Sequence, residues 1–333
     1  MSASASPTVP LSILDLAPIG PGETPAQSYS NSVALAQTAE RHGYGRVWYA
    51  EHHNMPTIAS SATSVLIAHV AAHTSTIRLG AGGIMLPNHS PLTIAEQFGT
   101  LETLHPGRID LGLGRAPGGD RAIFNALRRD PGASEQFPRD VMELQGYLTG
   151  ESIVTGVSAT PTPESAPPLF ILGSSLFGAQ LAAALGLPYA FASHFAPDAL
   201  HEAVSLYRRD FKPSAQLEHP YVLAAANVFA ADTAADATVQ FEAARRRRVR
   251  GMIARNQAGV EYTDAQIDEF LTTAAGANLA NMMRYTAVGT ASEVSQFLGD
   301  FAQTAQADEL IVAHGALSIA DRLRSVELAA PTE

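Results

Sequence analysis

Short apolar runs alternate with amphipathic stretches along almost the whole chain. Leu11 to Pro18 is the first apolar run. Behind it Ala26, Tyr29, Val33, Ala36 and Ala39 recur at the spacing of one helix face. Thr24 stands as N-cap of that helix, Pro25 takes its first position and Gly43 ends it. Further strands are predicted over Arg46 to His53, Ile77 to Leu86, Arg108 to Ala116 and Leu169 to Gly173. Tyr189 to Phe195, Tyr221 to Ala231 and Glu309 to Ala313 complete the set. Helical segments lie between them: Ser60 to Thr74, Ser90 to Leu104, one opening at Ser175, Pro197 to Phe211 and one capped at Thr290.

Near-continuous apolar strands separated by helices predict a parallel sheet buried on both faces. Eight such units close into a (β/α)8 TIM barrel, taken here as a single domain over residues 1–333, with a doubly wound open sheet as the rival. Residues 151–168 are rich in Pro, Ser and Thr and read as a loop insertion. The stretch from Ala234 to Met283 is too long for one helix, so residues 234–285 read as an insertion after strand seven. At that end of a barrel it is placed to act as a lid.

Composition narrows the chemistry. With no cysteine among 333 residues, disulfides, thiolate nucleophiles and thiolate metal sites are excluded. A net charge of −11 argues against nucleic acid as a partner. The one basic run, Arg245 to Arg248 with Arg250, reads as a solvated helix face. No apolar run is long enough to span a membrane, and the N-terminal MSASASPTVP has neither the basic nor the apolar region of a signal peptide. A soluble, cytoplasmic protein is expected.

Polar residues at strand C-termini are the functional candidates in a barrel. Strand two ends Glu51-His52-His53. Neighbouring strand residues point to opposite faces, so the two histidines chelate one ion only if the strand has already ended; no metal site is predicted, and an imidazole lining the pocket is preferred. Gly80 to Gly83 inside an apolar strand marks a bulge or a close backbone approach, either by a planar ligand or by barrel packing alone. Gly112-x-Gly114 with Gly118-Gly119 is a poor dinucleotide fingerprint, because Arg115-Ala116-Pro117 interrupts it; Arg115 is better read as a phosphate or pocket ligand. At Gly173-Ser174-Ser175 a strand stops, two hydroxyls follow and a helix begins, which is either an anion site or an ordinary serine cap. His194, at the end of strand six, is a further pocket candidate. A site of glycines, imidazoles, an arginine and a phosphate cradle points to a cofactor that carries the chemistry itself.

The runs Val47 to His53, Leu79 to Pro91, Pro106 to Arg115 and Leu172 to Ser175 resemble the luciferase-like flavin monooxygenase family, in its single-chain FMN-type branch. The resemblance extends from about Leu11 to Leu328. It implies a cis peptide at Gly82-Gly83 beneath the flavin ring, an FMN phosphate loop at Gly173, Ser174, Ser175 and Gly178, and a flavin contact from Arg115. It further implies pocket histidines at His52 and His53, with His52 as the catalytic imidazole and His53 lining the substrate pocket. Gly114 stands where luciferases carry a reactive cysteine, which places light emission in doubt.

The implied reaction is oxygenation of a small organic substrate such as an aldehyde by reduced FMN and O2, through a flavin C(4a)-peroxide held away from water. A separate flavin reductase supplies the reduced FMN, and the chain forms a homodimer through the helices after strands two and three. The rivals are a deazaflavin-dependent hydride-transfer enzyme, favoured by a basic pocket mouth, a non-catalytic flavin-binding protein, and a metal-dependent barrel hydrolase.

Overall fold

A computed structural model describes residues 9–116, 121–254 and 262–331. Gly118 and Gly119, and the middle of the expected lid, lie outside the described residues.

Strand and helix alternate as the apolar pattern requires. The first half runs β1 (Leu11–Asp15), α1 (Pro25–Arg41), β2 (Arg46–Tyr49), α2 (Thr63–Ala71), β3 (Arg78–Met85), α3 (Pro91–Leu104) and β4 (Ile109–Gly114). Two helices, α4 (Arg121–Ala126) and α5 (Phe137–Thr149), lead to β5 (Leu169–Gly173), α6 (Leu176–Leu185), β6 (Tyr189–Phe191) and α7 (Leu200–Asp210). β7 (Val222–Ala230) is followed by α8 (Ala234–Ala254), α9 (Asp264–Leu271), α10 (Ala274–Asn281) and β8 (Thr286–Gly289). The chain closes with α11 (Ala291–Ala305), β9 (Glu309–His314) and α12 (Ile319–Leu328).

All strand pairings are parallel. The ring runs β1 through β7 and then β9, which pairs with β1, giving a closed barrel of eight strands. β8 is the ninth strand and has no counterpart in the sequence reading. β7 is long enough to serve two neighbours: Leu223 to Val228 pairs with β9, and Asn227 to Ala230 pairs with β8 outside the ring. Among the described residues the insertion therefore contributes three helices and a strand that docks back on the barrel.

The predicted ends of several strands are too long. β2 stops at Tyr49, because the Ala50 amide donates to Asp15 and the His52 amide to Ser60 before Asn54 turns the chain at φ +53. β6 stops at Phe191 rather than Phe195.

Most of the core lies between strands and helices, and a smaller apolar plug fills the ring. Leu14, Trp48, Ala50, Phe170, Ala190, Leu223, Ala225 and Ile311 form that plug, one or two from each contributing strand, as alternating side chains in a barrel require. Below it, at the strand N-termini, lies a buried polar layer. Asp110 accepts from Trp48 Nε1 at 3.0 Å, Arg46 at 2.8 Å and Arg78 Nε at 2.9 Å, while Glu309 accepts from Arg46 at 2.9 Å and Tyr221 at 2.8 Å. Each carboxylate is thus paired, which is the condition for burying it. The floor of the barrel is closed, so a ligand enters from the opposite mouth. Among the described residues no helix is long and apolar enough to cross a membrane.

Candidate active site

Trp48 and Ala50 belong to the plug, and beyond Tyr49 contacts rather than strand alternation sort the side chains: Glu51 and His53 meet each other, while the charge of His52 is felt by His194. Glu51 is 1% exposed at its side chain and accepts four kinds of donor: His53 Nε2 at 2.8 Å, His89 Nε2 at 2.9 Å, the Met85 amide at 3.0 Å and Asn88 Nδ2 at 3.3 Å. Burial opposes its charge, but these donors outweigh it and hold the carboxyl down at about 2. His53 is raised above its ordinary value, mainly by the same hydrogen bond. His53, expected to line the substrate pocket, is thereby placed on the carboxylate that ties the end of β2 to the segment after β3. Among the described residues no group of three or more His, Asp or Glu side chains is arranged to hold a metal ion.

His52 and His194 follow strands on opposite sides of the ring. Even so, His194 senses both His52 and Arg248 electrostatically. Burial is the main reason His194 is pushed down to about 3, with the Arg248 cation and His52 adding to it. Solvent still reaches part of the ring, and the geometry stands behind the direction: a neutral imidazole at neutral pH. Its backbone is fixed by Asn227 Nδ2, which donates to the His194 carbonyl at 2.8 Å.

The peptide bond between Gly82 and Gly83 is cis, and the β3–β4 register shifts between Ala81 and Ile84. The reason for glycine here differs from the ligand-based expectation. A Cβ on Gly82 would meet Leu14 Cδ1 at 2.8 Å and Trp48 Cβ at 2.9 Å, and one on Gly83 the Gly112 carbonyl at 2.7 Å. The space of the missing side chains is filled by protein, so barrel packing alone accounts for these two residues.

At the end of β5 the chain passes through Gly173, Ser174 and Ser175 into α6. Ser175 is the N-cap, in extended conformation, but its hydroxyl makes no capping bond. Ser174 and Ser175 are exposed, and Tyr189 donates to the Ser175 carbonyl at 3.0 Å. Gly178 lies against that tyrosine: a Cβ there would stand 3.2 Å from Tyr189 Cε2. Arg115, at the end of β4, stacks on Phe177 in the first turn of α6, with its guanidinium carbon 4.0 Å from the ring centroid. The stack brings a cation to the first turn of α6, the helix that opens at Ser174-Ser175 with free N-terminal amides. That donor set fits a phosphate.

The basic run departs from the expected solvated face. On α8, Arg245 pairs with Glu242 at 2.5 Å, Arg246 with Asp268 at 2.8 Å and Arg250 with Asp264 at 2.6 Å, and Arg247 donates to the Ile19 carbonyl at 2.7 Å. These contacts tie the insertion to itself and to the loop after β1. Arg248 turns inward instead, and together with Asn227 it was not singled out by sequence. Arg248 follows Phe241 by seven residues, two helical turns, and Phe241 packs on Phe229 of β7 at 5.4 Å between centroids. That spacing is the signal that could have found it.

A TIM barrel with an imidazole-lined mouth and a phosphate-type donor set after β5 defines a class of cofactor-binding α/β barrel. Residues 9–308 match the family model described as luciferase-like monooxygenase, and the chain belongs to that family. It is 47% identical over 324 residues to an Escherichia coli (strain K12) protein named luciferase-like monooxygenase, covering 97% of this chain and 96% of that one. It is 41% identical over 234 residues to the N-acetyl-S-alkylcysteine monooxygenase of Bacillus subtilis (strain 168), covering 68% and 69%. Among solved structures, apo-MsnO8 superposes with a TM-score of 0.86 at 36% identity, covering 97% of each chain.

Proposed function

We propose that the chain is an FMN-dependent monooxygenase that oxygenates a small organic substrate at the mouth of the barrel. The carrying observation is the stack of Arg115 on Phe177, which sets a guanidinium at the first turn of α6, the helix whose N-cap Ser175 leaves its hydroxyl out of the cap. Ser174, Ser175, the amides of α6 and Arg115 would hold the phosphate of FMN, with Gly173 and Gly178 allowing the chain to close around it. Reduced FMN, when bound, supplies the two electrons and activates O2, so that one oxygen atom enters the substrate and the other leaves as water.

The chain's own residues do the rest. His52 holds or moves a proton beside the reacting atoms. His194 stays neutral and presents a ring nitrogen to the cavity. Glu51 fixes the backbone at Met85 and so the wall on which the flavin ring would lie. The insertion covers the mouth and limits water. Electrons come from a separate flavin reductase, and the cytoplasm, where reduced flavin is regenerated, is the compartment this reading favours. Exposed Val65 on α2 and Leu104 on α3 support a homodimer through those helices.

A deazaflavin carries a long acidic tail and calls for free cations at the mouth. Asp268 and Asp264 already occupy Arg246 and Arg250, which leaves Arg248 as the unpaired α8 cation among the described residues and favours the shorter FMN. The relative named for a thioether substrate makes thioethers the first compounds to try, ahead of aldehydes. The test supplies photoreduced FMN, 18O-labelled O2 and a thioether to the purified protein. A labelled sulfoxide supports the reading; stoichiometric peroxide with every thioether and aldehyde tried refutes it.

A further inference from the structure

Arg248 is the member of the α8 run that has no acceptor among the described residues. Arg245, Arg246, Arg247 and Arg250 each reach a carboxylate or a carbonyl, whereas the Arg248 guanidinium has no hydrogen bond or ion pair among the described residues. It is half-buried, its charge is felt by His194, and burial disfavours that charge. A guanidinium does not deprotonate in a protein, so a half-buried cation without a described counter-charge is open to an anionic ligand. His194 beside it is neutral and contributes no competing cation at neutral pH.

We propose that Arg248 is a specificity residue that takes a carboxylate of the substrate, with His194 as the adjoining hydrogen-bond partner. The proposal rests on the oxygenase reading only in calling that anion a substrate. A planar carboxylate matches the guanidinium fork with two parallel N–H donors, and the nearby imidazole can donate to a remaining lone pair. The phosphate of the cofactor has its own donors at the β5–α6 junction. The anion at Arg248 therefore belongs to the second ligand, the one that reaches His52. The reaction is thus expected on small organic acids, with the carboxylate under α8 and the reacting atom toward the barrel axis.

The test titrates the full-length protein, with and without FMN, with matched pairs differing only in charge: butyrate and butyramide, benzoate and benzamide, 4-phenylbutyrate and 4-phenylbutanamide. Binding is read by saturation-transfer NMR and calorimetry. The wild type should prefer at least one carboxylate over its amide by roughly ten-fold or more. Arg248→Met should abolish that preference and Arg248→Lys retain part of it, with far-UV circular dichroism unchanged and FMN affinity within about two-fold of wild type. Equal binding of acid and amide throughout, or a preference that survives in Arg248→Met, would overturn the proposal. Loss of FMN but not riboflavin affinity in Arg248→Met would overturn it too, by assigning this anion to the flavin phosphate. Failure of the oxygenase reading is separate: absence of flavin binding leaves the acid–amide comparison intact.

Discussion

His89 Nε2 lies 2.9 and 3.0 Å from the two oxygens of Glu51, a carboxylate buried at the rim of the barrel. Through that contact, and through the Met85 amide, the end of β2 holds the segment that follows the Gly82-Gly83 bulge. Removing the carboxylate leaves several buried donors without an acceptor. Glu51→Ala is expected to cost about 3 kcal/mol or more of stability, and Glu51→Gln less. Urea unfolding at pH 7 measures both; a loss below about 1 kcal/mol in Glu51→Ala would show that the cluster is not held together by this charge.

Acid should unfold the protein through identifiable groups. His314 is buried between Ser325, Tyr44 and Arg322, and burial first, then Arg322, pushes it down to about 3; His194 is likewise near 3. Both rings are neutral when folded and protonate near 6.5 when unfolded, so the unfolded chain binds more protons as pH falls. Stability is full above about 6.5 and declines toward pH 3 by about 1.4 kcal/mol per pH unit for each fully buried histidine. Glu51 adds to the loss below its unfolded value of 4.5, toward about 2. Unfolding free energy measured from pH 8 to 4 should show this slope, with a shallower one in His314→Gln. Because solvent reaches His194, its share should be the smaller of the two.

The strand-three glycines give a steric prediction. A Cβ at Gly83 meets the carbonyl of Gly112 and, at 3.2 Å, the amide of Leu113, both backbone atoms with little freedom to move. Gly83→Ala is expected to destabilise by about 1–3 kcal/mol, as overpacking does. A thermal midpoint unchanged in Gly83→Ala would show that β4 can yield.

His52 carries a chemical prediction. With reduced FMN supplied photochemically, His52→Ala should lower product formed per flavin by on the order of a hundred-fold and release peroxide instead, while FMN binding persists. Unchanged coupling of product to flavin oxidation would remove His52 from the proposed reaction.

Much of the barrel was legible because its signal is periodic. The strand boundaries at Leu169 and Gly173, and the N-caps at Thr24 and Thr290, follow from local chemistry that tertiary contacts reinforce. β8 was not legible: Thr286 to Gly289 is four residues long and is a strand only because β7 outruns β9. At the site, nothing local states that Glu51 is the partner of His53 and of His89, 38 residues on. Arg248 was hidden within a run of like residues. The spacing from Phe241 marks its face of α8, but its difference from its neighbours lies in which acceptors α9 and the loop after β1 bring, which the sequence does not state.

The central claim, that the β5–α6 junction with Arg115 grips the phosphate of a flavin, is tested most directly by comparing FMN with riboflavin. The Ser175 hydroxyl does not cap its helix, so Ser175→Ala should leave stability within about 0.5 kcal/mol of wild type, making the comparison clean. Wild type should bind FMN roughly a hundred-fold more tightly than riboflavin, and Ser175→Ala combined with Arg115→Ala should reduce that ratio to about ten or below. Equal affinity for the two flavins in the wild type, or an undiminished ratio in the double variant, would contradict the account.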